Sequence, residues 1–580
     1  MKNFTQLKKN LKNDFSGLTR VKVAVLGDTS TQLLCQALRG MGYEMGFNLE
    51  IFESDFNQVE QQVFDPSSEL YAYRPEIILL FHSAHKLLTK YNTSLEDPVL
   101  FALSHLATIE NMYATINQHL QSKIIYYNFN EIDDGVFGSF SNKLEASFLF
   151  QLRKLNFELM QFAARHTDFY ICDTSSIQNT NGKRNFFNAP LYVSAEMVLA
   201  VDILPEVAKR TIDIIAALWG KFKKCIILDL DNTLWGGIIG DDGLENIQLG
   251  NLGIGKAFTE FQLWIKKLVR RGIIVCICSK NTEAIAREVF EKHPEMVLTL
   301  DDIAVFVVNW ENKTDNIRQI QSILQIGFDA MVFLDDNPFE RNMVRENIPE
   351  ITVPELPDDP AEYLEHLYSL NLFETVSFSG EDIHRTRQYQ VEAKRNNARI
   401  SFTDEKDFLK SLNMTSVVEP FNKYNAPRVA QLSQRSNQFN VRTIRYTETD
   451  IEKLASSEDY FTFTFTLADK FGDNGLICVV ILKKENDDSL FIDTWFMSCR
   501  ILKRGAEDFV LNELINKARH NNYKRIIGEY IPTKKNIIVK DLYQTLGFKQ
   551  TDKLWTLDVA GYAERKHFIT NTKHILSGVK

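Results

Sequence analysis

Two textures of apolar and polar positions divide the chain. From residue 1 to about 205, short unbroken apolar runs ("VKVAVLGD", "EIILLFH", "KIIYYNF", "DFYICD") alternate with longer amphipathic stretches. Runs of this kind read as strands buried on both faces and the amphipathic stretches as covering helices, so the block 1–205 predicts a parallel sheet. Residues 221–372 repeat the pattern with "KCIILDLD", "GIIVCICS", "IAVFVV" and "DAMVFLDD", and "VPELPDDPAEYLEHLYSLNLF" is a proline-marked exit. A polar helical connector fills 373–414. From 415 to 580 the runs become aromatic and β-branched ("DYFTFTFTLAD", "GLICVVILK", "LFIDTWFM") and are followed by a helix, a strand and another helix, which predicts an α+β domain. The fold class is thus multidomain α/β.

Every strand of the middle block ends on polar chemistry. In an open parallel sheet the carboxyl ends of the strands line the ligand crevice, so Asp229, Ser279 and the pair Asp335/Asp336 are expected to converge there. Carboxylates gathered at one edge repel one another unless a cation lies among them. An all-oxygen set suits Mg²⁺, which takes one or two carboxylates and a substrate phosphate.

Composition narrows the function classes. The 580 residues are 44% hydrophobic and 24% charged, as in ordinary globular domains, and the net charge of −10 argues against a nucleic-acid binder acting through a general basic field. The seven cysteines form no CxxC pair and no His/Cys metal spacing. No secretory signal and no apolar run of membrane-spanning length are read, so a reduced, cytoplasmic location and no membrane partner are expected.

The string "DLDNTL" resembles the DxDxT signature of the haloacid dehalogenase superfamily. "CSKN", "NWENKTDNI" and "FLDDNP" are similar to its three further motifs, in the same order. The resemblance implies a Rossmann-like core and a set of roles. Asp229 is the nucleophile that forms an aspartyl phosphate, and Asp231 the general acid and base, whose backbone carbonyl also meets the metal. Asp335 or Asp336 completes the Mg²⁺ site, and the two are not told apart. Ser279 and Lys313 hold the phosphoryl group, and Thr233 fixes the loop beside it. Between Asp229 and Ser279 the sequence holds a glycine-rich loop, one helix and a strand, which leaves no room for a large cap domain.

Longer strings narrow the resemblance. "LDLDNTLWGGIIGDDG", "QLSQRSNQFNVRTIRY", "LADKFGDNGLICVVI" and "TWFMSCRILKRGAE" closely resemble the FkbH-like family, whose members look like a haloacid dehalogenase-type domain joined to a GNAT-type acyltransferase-like domain. The resemblance implies an enzyme that takes a glyceryl unit from 1,3-bisphosphoglycerate, removes phosphate and loads the acyl group onto the phosphopantetheine of an acyl carrier protein.

The C-terminal block carries the acyl-handling candidates. The loop Arg500, Arg504, Gly505 resembles an R-x-x-G-x-G cradle for pantetheine phosphate, with Lys503 in place of the first glycine; a purely structural turn is the alternative. Cys278 and Cys499 are the candidate acyl relays, although "VCICS" also reads as an ordinary buried strand.

The N-terminal "VLGDTS" is similar to the first block of SGNH hydrolases, with Thr29 at the serine position. No DxxH histidine follows, so the domain is read as a non-catalytic relative, and His82 and His85 as capping or solvated. The connector arginines Arg385, Arg387, Arg395 and Arg399, with Lys394, are read as a solvated face, with docking of an acidic carrier as the alternative. Two further readings stay open for the whole chain: a plain phosphatase of a small phosphometabolite, and a non-enzymatic scaffold.

Overall fold

The computed structural model describes residues 2–378, 385–399, 402–498, 501–502, 504–533 and 535–572. The chain forms two compact units, Met1–Ala216 and Ala217–Lys580.

The first unit is built on a five-stranded parallel sheet of β1 (Thr19–Gly27), β2 (Phe47–Glu53), β3 (Ile77–Phe81), β4 (Lys123–Tyr127) and β5 (Phe169–Cys172), in the order β2-β1-β3-β4-β5. That is the flavodoxin-like order, with its switch point between β1 and β3. β3 is buried at all five positions, as a central strand covered on both faces must be. Of the two histidines beyond it, His82 is buried and His85 is half-buried. The His82 Nδ1 lies 3.0 Å from the Tyr126 hydroxyl, and burial drives its pKa down to about 3. His85 stacks on Phe187 with ring centroids 4.0 Å apart, and burial lowers its pKa to about 4. Apolar neighbours in the folded chain, invisible in the local sequence, overturn the solvated reading.

The second unit opens with a four-stranded parallel sheet of β6 (Cys225–Leu228), β7 (Ile274–Ser279), β8 (Ile303–Val308) and β9 (Met331–Leu334), ordered β8-β7-β6-β9. Its side chains alternate between two cores, as the two-residue period of a strand requires. Ile226, Leu228, Val275, Ile277, Val332 and Leu334 join one core, while Cys225, Ile227, Ile274, Cys276, Cys278, Met331 and Phe333 join the other.

The remaining sheet comprises β10 (Met414–Ser416), β11 (Val418–Glu419), β12 (Phe439–Asn440), β13 (Tyr460–Asp469), β14 (Gly472–Asn486), β15 (Ser489–Met497), β16 (Arg525–Glu529), β17 (Lys549–Thr551), β18 (Leu554–Asp558) and β19 (Ile569–Asn571). Its main path, β17-β18-β16-β15-β14-β13-β10-β19, is antiparallel except for the pairs β15-β16 and β10-β19. The helix Ala506–His520 buries Phe509, Val510, Leu514 and Ile515 in the core of this sheet.

The connector helix Arg385–Arg399 serves both neighbours. Tyr389 is buried in the second core of the parallel sheet, and the Gln390 side-chain amide donates to the Ile303 carbonyl at 2.9 Å. Arg395 is not on a solvated face. It is 1% exposed, and its Nε lies 2.8 Å from Asp469 Oδ2 at the end of β13. Arg504 joins the same ion cluster: its Nη2 donates to both oxygens of Glu392 at 2.6 Å, and Glu392 also pairs with Arg395. Charge pairing across residues far apart in sequence buries what a helical projection alone would leave in water. Arg399 remains at the surface, paired with Glu405 at 2.7 Å. The side chains of Arg385 and Lys394 lie outside the described residues. Among the described residues no helix is long and apolar enough to cross a membrane.

Candidate active site

The site lies at the carboxyl edge of the four-stranded sheet. Asp229 is the residue after β6; its N–H donates to the Leu334 carbonyl at 3.0 Å, which ties the end of β6 to the end of β9. Asp335 and Asp336 leave β9 directly. Lys313 opens the helix Lys313–Leu324, whose N-terminus is capped by the Asn312 side chain. This frame carries the Lys313 ammonium to 3.0 Å from Asp229 Oδ2 and 2.5 Å from Asp335 Oδ2. Lys313 is 3% exposed, Asp229 7% and Asp335 0%, so these charges meet almost without water.

Carboxylate oxygens of Asp229, Asp335 and Asp336 lie within 4.8 Å of one another. Burial, then the charge of Asp229, push the Asp335 pKa up to about 7 against the opposing pull of Lys313. Burial also raises Asp336. For Lys313, burial alone would lower the pKa, but Asp229 and Asp335 outweigh it and the net direction is upward. One ammonium among three carboxylates leaves the cluster short of positive charge, and Asp229 Oδ1 is buried without a hydrogen-bond partner. An all-oxygen donor set with one orphaned carboxylate oxygen fits a hard divalent cation such as Mg²⁺.

Asp231 is handled separately. Its side chain is not part of the three-carboxylate cluster. Oδ1 accepts from Trp235 Nε1 at 2.9 Å and from the Ile239 N–H at 3.0 Å, while Oδ2 accepts from Asn281 Nδ2 at 2.9 Å. Burial is the largest influence on its pKa and moves it upward, against the two Oδ1 hydrogen bonds. Trp235 reaches Asp231 because the chain turns back on itself in "DNTLWGG". Asn232 adopts a left-handed φ of 54° and its Oδ1 accepts from the Gly237 N–H at 2.9 Å. Gly236 pairs with Gln248, and a Cβ there would lie 2.8 Å from Phe258 Cε2.

Thr233 is fully buried, and its hydroxyl accepts from the Asp336 N–H at 3.1 Å, joining the loop after β6 to the loop after β9. Ser279, the last residue of β7, is 2% exposed. Three supporting residues escaped the sequence reading. Asn281, inside the quoted "CSKN", orients Asp231. Trp235 does so from the core, and Arg341 donates to the Asp335 and Asp336 carbonyls at 2.8 and 2.6 Å. The i+4 spacing of Asp231 and Trp235 was the one available signal for these contacts.

The acyl-handling candidates fare differently. Cys278 is fully buried, and burial pushes its thiol pKa upward, which disfavours the thiolate that a relay needs. Cys499 and Arg500 lie outside the described residues. Arg504 is committed to Glu392, so its guanidinium does not offer the open phosphate contact expected of the cradle. Gly505 caps the helix Ala506–His520 in a left-handed conformation.

A family model described as the N-terminal domain of FkbH matches residues 22–216. Among solved structures, the N-terminal part of the protein BF1531 from Bacteroides fragilis, containing a phosphatase domain and complexed with Mg, is 54% identical. That match covers 65% of this chain and 100% of that chain, with a TM-score of 0.63. The ribosomal-protein-S18-alanine N-acetyltransferase from Escherichia coli is 15% identical over 26% of this chain and 99% of its own, with a TM-score of 0.20. A mutant form of the spermidine/spermine N-acetyltransferase SpeG from Vibrio cholerae is 13% identical over 25% of this chain and 95% of its own, with a TM-score of 0.21. No curated protein matches the chain.

Proposed function

The chain belongs to the FkbH family, and on that footing we propose that it is a Mg²⁺-dependent phosphatase that works through an aspartyl phosphate, acts on a small phosphorylated acyl compound and passes the acyl group to an acyl carrier protein. The observation that carries the phosphatase reading is the Lys313 ammonium set between Asp229 and Asp335, with Asp336 alongside.

In this reading Asp229 attacks the phosphorus of the substrate's phosphate ester and the bond to the leaving alkoxyl oxygen breaks. Acyl loading is a separate exchange in which the carrier thiolate attacks the carbonyl carbon of the acyl phosphate and expels inorganic phosphate. Lys313 offsets charge on the phosphoryl oxygens, as fixed donors in a dry site do. Asp231, whose pKa is held upward, gives its proton to the leaving oxygen and takes one from the water that hydrolyses the aspartyl phosphate. Trp235, Ile239 and Asn281 keep it aimed for both tasks. Asp229, Asp335 and Asp336 would hold Mg²⁺, which when bound neutralises phosphoryl charge.

Family membership supports the acyl-loading half of the proposal. A plain phosphatase is the second reading, favoured by the buried thiol of Cys278 and the engagement of Arg504 with Glu392. The two separate in one experiment: incubation with Mg²⁺, enzymatically generated 1,3-bisphosphoglycerate and a phosphopantetheinylated carrier protein, followed by intact-protein mass spectrometry and a phosphate assay. A hydroxylamine-sensitive glyceryl adduct on the carrier, lost in Asp229→Asn, supports loading. Phosphate release without an adduct supports the plain phosphatase, and no Asp229-dependent release at all refutes both.

A further inference from the structure

Two residues that brace the site have sequence neighbours that pair with each other. Asn281 donates to Asp231 Oδ2 at 2.9 Å, and Arg341 donates to the Asp335 and Asp336 carbonyls at 2.8 and 2.6 Å. Next to them in the chain, the Lys280 ammonium donates to Glu340 Oε1 at 2.6 Å. Lys280 follows the end of β7, and Glu340 lies on the helix Pro338–Asn347 that follows β9. In the order β8-β7-β6-β9 these two strands flank β6. At roughly 4.8 Å per strand spacing their ends stand about 10 Å apart, with Asp229 at the end of the strand between them. The ion pair closes that gap.

The pair also lies on the charged face of the sheet. Cys276 and Cys278 join the same core as Ile227 and Phe333, and the helix that begins at Lys313 packs there through Ile317 and Ile320. The two-residue period of the strands carries Asp229 and Asp335 to that face, and Lys280 is the next residue in the register of Cys278. Burial is the main cause of the raised pKa of the Cys278 thiol, and the charges that act on it next are those of Lys313, Asp229, Asp335 and Glu340. Glu340 therefore stands in the electrostatic neighbourhood of the Asp229–Lys313 pair, and it holds Lys280 there.

The two lysines are committed differently. Lys313 is buried between two carboxylates, whereas the Lys280 side chain is 36% exposed and, among the described residues, meets Glu340 alone. An ammonium has three donors, and Glu340 takes one of them. Lys280 thus sets a positive charge with open donors at the rim of a site whose floor is acidic, directly after Ser279. A carboxylate floor repels any further anion on the substrate, and a cation fixed at the rim removes that penalty.

We propose that Lys280 is a specificity-determining residue that pairs with a second anionic group, a phosphate or a carboxylate, carried on the body of the substrate away from the phosphoryl group under attack. The proposal rests on the phosphatase reading of the site. The 1,3-bisphosphoglycerate implied by the family resemblance belongs to this class, and the geometry adds the residue that tells it from a compound with an uncharged body.

The test uses the full chain with Mg²⁺ and three non-hydrolysable probes titrated calorimetrically: propylphosphonate, 3-phosphonopropionate, which ends in a carboxylate, and propane-1,3-diphosphonate. The wild type is expected to bind at least one of the two doubly charged probes about five-fold more tightly than propylphosphonate, the scale of one partly exposed ion pair. The tighter of the two identifies the group that Lys280 meets. Lys280→Gln should reduce the preference below about two-fold, and Lys280→Arg, which restores the charge, should keep most of it. An undiminished preference in Lys280→Gln overturns the proposal, as does the absence of a preference, or of any binding, in the wild type. The phosphatase reading fails separately, by Asp229-independent turnover of p-nitrophenyl phosphate.

Discussion

Lys313 Nζ stands 2.5 Å from Asp335 Oδ2, in a setting where neither side chain is more than 4% exposed. The pair is the electrostatic hinge of the site, since the same ammonium also reaches Asp229. Removing it leaves three carboxylates with no protein cation among them. Lys313→Met is expected to lower kcat by about 10²- to 10³-fold, the usual cost of losing one fixed donor to a reacting oxyanion. It should also lower the melting temperature, because breaking a buried pair costs about 3–5 kcal/mol. Added Mg²⁺ should recover more of that melting temperature in the variant than it adds in the wild type. Steady-state kinetics and thermal unfolding with and without Mg²⁺ check both, and a variant within two-fold of wild-type kcat, well inside that expected range, would refute the assignment.

Asp231→Asn keeps the shape of the side chain and removes its capacity to give and take a proton. A drop of about 10²- to 10⁴-fold in turnover of an alkyl phosphate is expected. The drop should be smaller for p-nitrophenyl phosphate, whose leaving group needs less protonation. An equal loss on both substrates would assign Asp231 a structural role only.

The ion cluster of Glu392, Arg395, Asp469 and Arg504 joins the connector helix to the antiparallel sheet. Glu392→Ala leaves two buried arginines sharing the single carboxylate of Asp469. The expected cost is about 3–5 kcal/mol, against a smaller cost for Glu392→Gln, which still accepts hydrogen bonds. Chemical denaturation of the three proteins measures it, and indistinguishable midpoints would remove the cluster from the list of what holds the second unit together.

In the first unit, Asp28 accepts from the Ser83 N–H at 2.9 and 3.0 Å, yet burial dominates and lifts its pKa to about 7. A carboxyl raised above its unfolded value contributes stability that is full below about pH 4 and lost as pH rises through about 7. His82 acts in the opposite sense: its pKa of about 3 means stability present above about pH 6.5 and lost as pH falls toward 3. The two offset each other in mildly acidic solution. Asp28→Asn should remove the carboxyl contribution, so that its stability relative to wild type grows from about pH 4 and levels off above about pH 7, while its own stability follows the histidine. Hydrogen exchange of the β1 and β3 amides follows it, and a difference independent of pH would contradict the buried, proton-binding Asp28.

The parallel sheets were legible because strands covered on both faces are written as unbroken apolar runs, and "CIIL" and "IVCICS" need no partner to be recognised. The convergence of Asp229 with Asp335 and Asp336 was legible from the strand ends, whereas Lys313 was placed beside them only by the family resemblance. What escaped has a common cause. Arg395 finds Asp469, Arg504 finds Glu392, and His82 finds Tyr126 across long sequence separations, and no local period encodes such pairings. The helical projection that left Arg395 in water was sound for an isolated helix. Only the packing of the connector against β13 reversed it.

Trp235 belongs at once to the interior and to the chemistry. Its ring is buried edge-to-face against Phe290, Phe290 meets Phe306 in the same manner, and the Arg287 guanidinium covers the Phe306 ring from the surface. The indole N–H meanwhile holds Asp231. The aim of the Asp231 carboxylate is therefore set by how aromatic rings stack beneath it. A change at the outer end of that stack would be felt as a change in rate before it was felt as a change in shape.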